Sequence, residues 1–362
     1  MINDINKQIK LLSELVSIDT SEGKYANFDR SFKIVNSYLQ PLGLIPFEYS
    51  ENDNRSCVWT NSSNHLQPDV LLSAHIDVVP ASIGQFTIEQ IDHKVFGRGV
   101  SDMKFSIVSY ISILQSLHAQ NQMPKSIAVM ITTDEESVGL NGTNYLVNQI
   151  GYRPKLVFLP DGGENLELVI GSKGVLSLKV IASGSTAHSC YPWDGDSAID
   201  NLVNFLVAVR EVIPNPTEES WSNTINSGHI SGGVQTNQIC EQAEVHLDIR
   251  YIPGTDVGDL VSKIANISPK IKVEVLDNFP PFHVDSQNDQ LIRWQNIVKK
   301  VANQKVVLNR DHGASDANYF SALNIPVIMT KPSAGGDHST NEWLDVNSWQ
   351  IFNQCLTNFL CS

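Results

Sequence analysis

Cysteine is scarce in this 362-residue chain and is not arranged for bonding. Cys57, Cys190, Cys240, Cys355 and Cys361 are odd in number, and no Cys-x-x-Cys pair occurs. That pattern speaks against a disulfide framework and for reduced thiols in a cytoplasmic protein. No apolar run approaches the roughly 20 residues of a membrane span. The opening segment, Met1-Ile-Asn-Asp-Ile-Asn-Lys-Gln-Ile-Lys10, lacks the basic and apolar regions of a secretory leader. Positive charge is short: 25 Lys and Arg stand against 39 Asp and Glu, a formal net charge of −14. With no basic stripe, a nucleic-acid partner is not expected. Internal repeats and low-complexity tracts are absent as well. What is left is an ordinary globular composition, 41% hydrophobic and 18% charged. At this length two domains are expected.

Hydrophobic periodicity fills in the organisation. Residues 2–17 carry Ile5, Ile9, Leu12, Leu15 and Val16 on one helical face, and a second helix is expected over 29–41. Strands are expected at 69–75, 126–133 and 155–160, separated by helices at 103–119 and 140–149. Such alternation implies an α/β domain whose mostly parallel sheet has helices on both faces. In these sheets functional groups gather beyond the carboxyl ends of the strands. From Gly171-Ser-Lys-Gly174 onward the texture changes. A strand (175–183), a helix (196–212), two strands (225–231 and 239–251), a helix (256–266) and a strand (271–276) spell β-α-β-β-α-β. That order is a ferredoxin-like α+β unit. A helix at 291–301 and a strand at 326–329 resume the first pattern. The expected layout is therefore one domain of residues 1–174 and 284–362, interrupted by an inserted domain of residues 175–283.

Chemistry-bearing residues cluster at the expected strand ends. His75 and Asp77 close the first strand, where residues two apart share a face. Asp77 can then accept a hydrogen bond from His75 and fix its tautomer for a metal; the plain alternative is a solvated strand end. Asp102, in Gly97-Arg-Gly-Val-Ser-Asp-Met-Lys104, has two free oxygens that can bridge two cations, or it caps a helix. Glu135 and Glu136 follow the second strand. Adjacent carboxylates diverge, so one can bind a metal while the other serves as general base; an acidic helix start is the alternative. Asp161 follows the third strand and completes one cation's ligands or serves a turn, with Glu164 as a rival ligand. His338, in Gly335-Gly-Asp-His-Ser-Thr-Asn-Glu342, completes the other or is structural. Two histidines, several carboxylates and no cysteine suit two divalent cations, zinc first, with cobalt or manganese also accommodated. In the inserted domain, His188 is either a loop histidine or a donor to a developing oxyanion. Arg250 either clamps a substrate carboxylate or forms a surface ion pair.

Taken in order, these strings resemble the co-catalytic metallopeptidase family of acetylornithine deacetylase, succinyl-diaminopimelate desuccinylase, aminoacylase, carboxypeptidase G, peptidase T and carnosinase. The matching strings are Ser73-Ala-His-Ile-Asp-Val-Val-Pro80, Gly97 to Lys104, Thr133-Asp-Glu-Glu136, Gly171 to Gly174, Thr186-Ala-His-Ser189, Gly232-Gly233 with Asn237, Asp248-Ile-Arg250, and His338 to Glu342. The resemblance implies His75, Asp102 and Asp161 at one cation and Asp102, Glu136 and His338 at the other. It makes Glu135 the base and Asp77 the residue that orients His75. It also implies a lid domain that pairs two subunits into a homodimer, with His188 acting on the partner's site. Two departures stand out. Phe105 occupies a position where the family usually has glycine, next to the metals. Asp161 stands where deacylases and carboxypeptidases of the family usually carry Glu, and aminopeptidases and dipeptidases Asp.

These observations lead to an expected zinc-type amide hydrolase that activates water between two cations, with Glu135 as general base. An exopeptidase of the aminopeptidase or dipeptidase kind is the first expectation, with Arg250 and Asn237 binding the substrate carboxylate. A deacylase of N-acyl amino acids is the alternative. A non-catalytic metal- or peptide-binding homologue is the alternative of another class.

Overall fold

The computed structural model describes residues 4–362, so residues 2 and 3 of the helix expected over 2–17 lie outside the described residues. Helix α1 (Ile5–Val16) starts at Asp4, whose side chain accepts from the Lys7 N–H, and buries Leu11, Leu12, Leu15 and Val16. Helix α2 (Tyr25–Leu39) begins four residues before its expected start. Strands β1 (Ile45–Glu51) and β2 (Asn54–Thr60) pair antiparallel through Asn52 and Asp53, both at positive φ (46° and 67°). Two left-handed central residues give the hairpin turn whose twist matches its strands, and Asn and Asp tolerate it best after glycine. The chain continues through β3 (Val70–His75), the short β4 (Glu89–Ile91) and β5 (Lys94–Phe96), α3 (Lys104–Ala119), β6 (Ile127–Thr132) and β7 (Leu156–Leu159). The helix expected over 140–149 is a single wide turn, Tyr145–Ile150, closed by Gly151 at φ 94°. Its approach is diverted because Asp134 accepts the N–H groups of Asn141 (2.7 Å) and Gly142 (3.0 Å).

After β8 (Leu168–Ser172) comes the ferredoxin-like unit. It consists of β9 (Gly174–Ser183), α4 (Ala198–Val212), β10 (Thr224–Gly232), β11 (Gln242–Tyr251), α5 (Val257–Ala265) and β12 (Ile271–Phe279). Its strands lie in the order β10-β11-β9-β12, every neighbour antiparallel. Alternation sets its core. Leu176, Leu178, Val180 and Ala182 of β9 and Ala243, Val245, Leu247 and Ile249 of β11 pack with Leu202, Phe205 and Val209 of α4 and Leu260 and Ile264 of α5. The intervening residues of β11, including Glu244, His246, Asp248 and Arg250, occupy the uncovered face.

The remaining elements are β13 (Phe282–His283), α6 (Asp289–Ala302), β14 (Leu308–Asp311), α7 (Ala317–Ser321), β15 (Val327–Met329), β16 (Ala334–Gly335), β17 (Trp343–Asp345) and α8 (Val346–Cys361). The main sheet runs β1-β2-β6-β3-β7-β15-β8-β13, with β14 on β8. Its centre, β6-β3-β7-β15, is parallel, while β1, β2 and β8 pair antiparallel outside it. Strands β6 and β7 are buried along their whole length, as a sheet covered on both faces requires. Two compact units result. One holds the residues up to Gly171, His283–Asp311 and Ser315–Ser362; the other holds Ser172–Phe282 and His312–Ala314.

An aromatic cluster anchors the first unit. Phe352 of α8 lies 5.9 Å from both Phe105 and Phe158 and 6.3 Å from Trp294. Such offset and edge-on contacts add to what area burial alone contributes. Phe105 is fully buried in this cluster and α3 begins at Lys104, so its ring packs against α8 and does not narrow a pocket beside the metal residues. Phe352→Ala should therefore lower unfolding stability by about 3–5 kcal/mol in a denaturant titration, through the cavity it leaves. Ile83→Ala, at a position 87% exposed, should change it by less than about 0.5 kcal/mol.

Candidate metal centre

The parallel strands deliver their chemistry at their carboxyl ends. His75 is the last residue of β3, and Asp77 follows two positions later. Glu135 and Glu136 form a 3-10 turn just after β6, and Asp161 follows β7 by two residues. Asp102 and His338 come from loops. The Asp102 loop is wrapped on the buried carboxylate of Glu342, which accepts the N–H groups of Gly99 (2.9 Å), Ser101 (2.9 Å) and Asp102 (3.1 Å). Arg98 closes this cradle with a bond of 2.7 Å to the same carboxylate. Gly99 sits at φ 84°, where a side chain would also crowd Val78 and Lys104 at 3.0–3.1 Å. The amino group of Lys104 is buried and donates to the carbonyls of Leu15 (3.1 Å) and Ile18 (3.0 Å), tying the start of α3 to the end of α1. On the other side, buried Lys331 bonds Asp337 (2.6 Å), the residue before His338.

These supports bring the five expected ligands together in two groups that share one residue. Asp102 Oδ1 lies 3.0 Å from His75 Nε2, and Asp102 Oδ2 lies 3.1 Å from His338 Nε2. Glu136 Oε2 is 3.0 Å from His338 Nε2, while Asp161 Oδ1 is 3.9 Å from His75 Nε2. In each group, His75–Asp102–Asp161 and Asp102–Glu136–His338, the ligand atoms all lie within 4.8 Å of one another. Glu164, the rival ligand, is exposed in a 3-10 turn and enters neither group. Glu135 approaches from the side, its Oε2 3.8 Å from His75 Nε2. The orientation of His75 departs from expectation in one detail. Its Nδ1 lies 3.1 Å from the backbone carbonyl of Asp77, with the carboxylate at 3.5 Å. The other carboxylate oxygen of Asp77 accepts the Glu136 N–H (3.0 Å), so Asp77 links one group to the other.

The donor chemistry fits a pair of cations. A carbonyl can only accept, so Nδ1 of His75 carries the proton and, in the neutral ring, Nε2 is a bare lone pair facing a carboxylate oxygen. Lone pairs converging at this distance need something positive among them. With protons alone, the groups compete. Burial opposes protonation of His75, but Asp102, Asp161 and Asp77 outweigh it and hold its pKa well above the usual imidazole value. Asp102 and then Glu136 push His338 up to about 10. Burial raises Asp161 to about 6 against the contact with His75. Burial first, and Asp161 next, hold Glu135 well above the carboxylate range. Imidazoles and carboxylates of this kind are ligands for zinc, cobalt or manganese.

Several supporting residues carried no role in the sequence reading. Glu342 and Asp337 stood inside a recognised string, but only the fold shows which loops they hold. Lys331 and Asp316 carried no local signal. Asp316 is buried behind the Glu135 turn, where Thr143 donates to it (2.5 Å), and burial lifts it to about 8. His188, Asn237 and Arg250 belong to the second unit and enter neither group. His188 pairs with Gln238 through an isolated bridge between two loops, and the Ser189 N–H donates to the Asn237 carbonyl (3.0 Å). Arg250 forms a two-point pair with Asp248, at 2.8 and 3.2 Å.

Comparison with known proteins agrees with this architecture. An acetylornithine deacetylase of Yersinia pseudotuberculosis is 32% identical over 203 residues, covering 53% of this chain and 51% of the relative. The chain thus spans about half the length of that curated relative. The solved aminopeptidase PepT of Bacillus cereus superposes with a TM-score of 0.81 over 99% of both chains at 22% identity. Human carnosine dipeptidase 1 does so with a TM-score of 0.72 over 99% of this chain and 96% of that one, at 15% identity. At such identities the likeness speaks for the fold. The model of peptidase family M20/M25/M40 matches residues 71–361, which include every residue of both ligand groups, and the chain belongs to that family.

Proposed function

We propose that the protein is an amide hydrolase that works with two divalent cations and removes residues from small peptides bearing a free amino group. The observation that carries this reading is the division of the Asp102 carboxylate, one oxygen toward His75 and the other toward His338. His75, Asp102 and Asp161 would hold one cation, and Asp102, Glu136 and His338 the other, with zinc as the first candidate. Bound there, the two cations would lower the pKa of a water and polarise a substrate carbonyl. Glu135 receives the proton from that water and passes it to the leaving nitrogen. Its burial beside Asp161 favours the protonated form, which makes its carboxylate a stronger base for the first of these transfers. Asp77 holds the ring of His75 and the backbone of Glu136, and Glu342 with Arg98 fixes Asp102. His188 donates to the developing oxyanion, and Asn237 and Arg250 anchor the substrate carboxylate. For Arg250 this means sharing or releasing Asp248.

The choice of a free-amino substrate rests on Asp161, the residue type that aminopeptidases and dipeptidases of the family usually carry, where its deacylases and carboxypeptidases carry Glu. The named deacetylase relative favours the second reading, a deacylase of N-acyl amino acids. A non-catalytic binding role is disfavoured because no ligand position has been lost. We also propose a homodimer formed through the second unit. Ile199, Val203 and Val207, spaced by four along α4, are 41%, 49% and 67% exposed, and β10 is an open edge strand carrying Ile230 at 56%. A continuous apolar stripe beside an unpaired edge calls for cover. A cytoplasmic location is proposed on the five free thiols.

Glu135→Gln should lower kcat toward a dipeptide panel by about 10²- to 10⁴-fold while metal analysis still finds two cations. Loss of both together would show that Glu135 is a ligand instead. Cleavage of N-acetyl amino acids alone would replace the peptidase reading with the deacylase. Val203→Asp combined with Val207→Asp should convert a dimer to a monomer in light scattering, without loss of the fold. Stripping the cations should make stability pH-dependent. Glu135, Asp161, Asp316, His75 and His338 all have raised folded pKa values, so the native state binds more protons than the unfolded one. Lys104, which burial lowers to about 7, acts in the opposite sense above that pH, but the five groups outnumber it, and stability of the stripped protein should fall as pH rises from about 4 through 10. The Tm of chelated protein should drop between pH 6 and pH 9, and that of the loaded protein should change less.

A further inference from the structure

The second unit carries a third cluster of metal-binding side chains, on the sheet face that α4 and α5 leave uncovered. His246 of β11 and His229 of β10 are direct cross-strand partners, and Glu244 stands two residues from His246 on the same face. The pairing depends on a bulge. From Thr224↔Arg250 to Ser227↔Leu247 the two strands run in step, and the next residue, Gly228, would fall opposite His246. The register slips between Ser227 and His229, so that His229 takes that place. A bulge of this kind re-aims a side chain and sharpens the local twist. Here it sets two imidazoles side by side, with ring centroids 5.5 Å apart and planes at 89°.

We propose that His229, Glu244 and His246 form a binding site for a third divalent transition-metal cation, separate from the two-cation centre. One ligand atom from each lies within 4.8 Å of the others, as in both groups of that centre. Closing around a cation then needs only small rotamer adjustments of exposed side chains. Glu244 is prepared for the role. Its Oε1 faces His246 Nε2 at 3.7 Å, while its Oε2 is held by Lys179 at 2.8 Å. Lys179 thereby fixes the carboxylate and keeps it ionised, leaving one oxygen for the cation. Two imidazoles and one carboxylate select zinc, cobalt, nickel or copper over calcium or magnesium, which take oxygen ligands. Water completes the coordination because the site is open to solvent.

The test is equilibrium dialysis of the full chain against micromolar zinc, followed by metal analysis of the wild type, the double variant His229→Ala with His246→Ala, and Glu244→Gln. The double variant should hold one zinc fewer per chain than the wild type. Glu244→Gln should bind that zinc at least about tenfold more weakly, the effect expected even for outer partners of a metal. Peptide hydrolysis should be unchanged in both. Because the readout is a difference between chains, it stands whether or not the two-cation centre behaves as proposed. Equal zinc content in wild type and double variant would overturn the site. So would a lost equivalent accompanied by lost hydrolysis with both variants folded, since the cation would then belong to the main centre.

Discussion

Like charges brought together out of water dominate this structure. Asp102, Glu135, Glu136 and Asp161 converge at the ends of the parallel strands, with Asp77 directly behind them. In a buried setting such carboxylates cannot all stay ionised without compensation. Two histidines do not suffice, because each offers at most one positive charge and His75 already commits one nitrogen to a carbonyl. Two divalent cations would offset most of that charge, and much of the surrounding architecture serves to hold the acids where they would otherwise repel.

Each support is itself a buried polar arrangement, in which only Arg98 Nε and Asp337 Oδ1 are without a hydrogen-bond partner. Glu342 takes three backbone N–H groups and an arginine, Lys331 pairs with Asp337, and Lys104 donates to the carbonyls of Leu15 in α1 and Ile18 just beyond it. Such groups cost free energy to bury unless every partner is present. They therefore link distant segments tightly: the loop before α3 to the strand before α8, and α1 to α3. The aromatic cluster around Phe352 supplies the apolar counterpart beneath the sheet. Rigid placement matters because a hydrolytic site works only when its proton carrier and electrophile keep their spacing.

Much of this was legible in the sequence. The grouping of these side chains was readable because fold logic and chemical logic coincide: parallel strands end where polar residues interrupt apolar runs, at His75, Glu135 and Asp161. The ferredoxin-like block was readable from alternation in β9 and β11. Other features were hidden for physical reasons. In the β1–β2 hairpin Ile45, Phe47 and Tyr49 alternate along β1 toward the Asn52-Asp53 turn, but β2 is buried continuously over its last five residues and shows no period of two. The wide turn at Tyr145–Ile150 arises because Asp134 captures two N–H groups, a tertiary effect that no local pattern encodes. Phe105 was expected beside the metals because neighbours in sequence were taken as neighbours in space. On a helix, one step from Lys104 turns the ring through about 100° and into the α8 contact. The partners of Glu342, Lys331 and Asp316 lie far away in the chain, and only the folded structure joins them.

The central claim is that one carboxylate, Asp102, serves two cations at once. Crystals grown with zinc and measured at its absorption edge would test this most directly through anomalous scattering. The account predicts two peaks, one contacting His75 and Asp161, the other contacting Glu136 and His338, with an oxygen of Asp102 bound to each. A single peak, or two peaks of which only one touches Asp102, would contradict it.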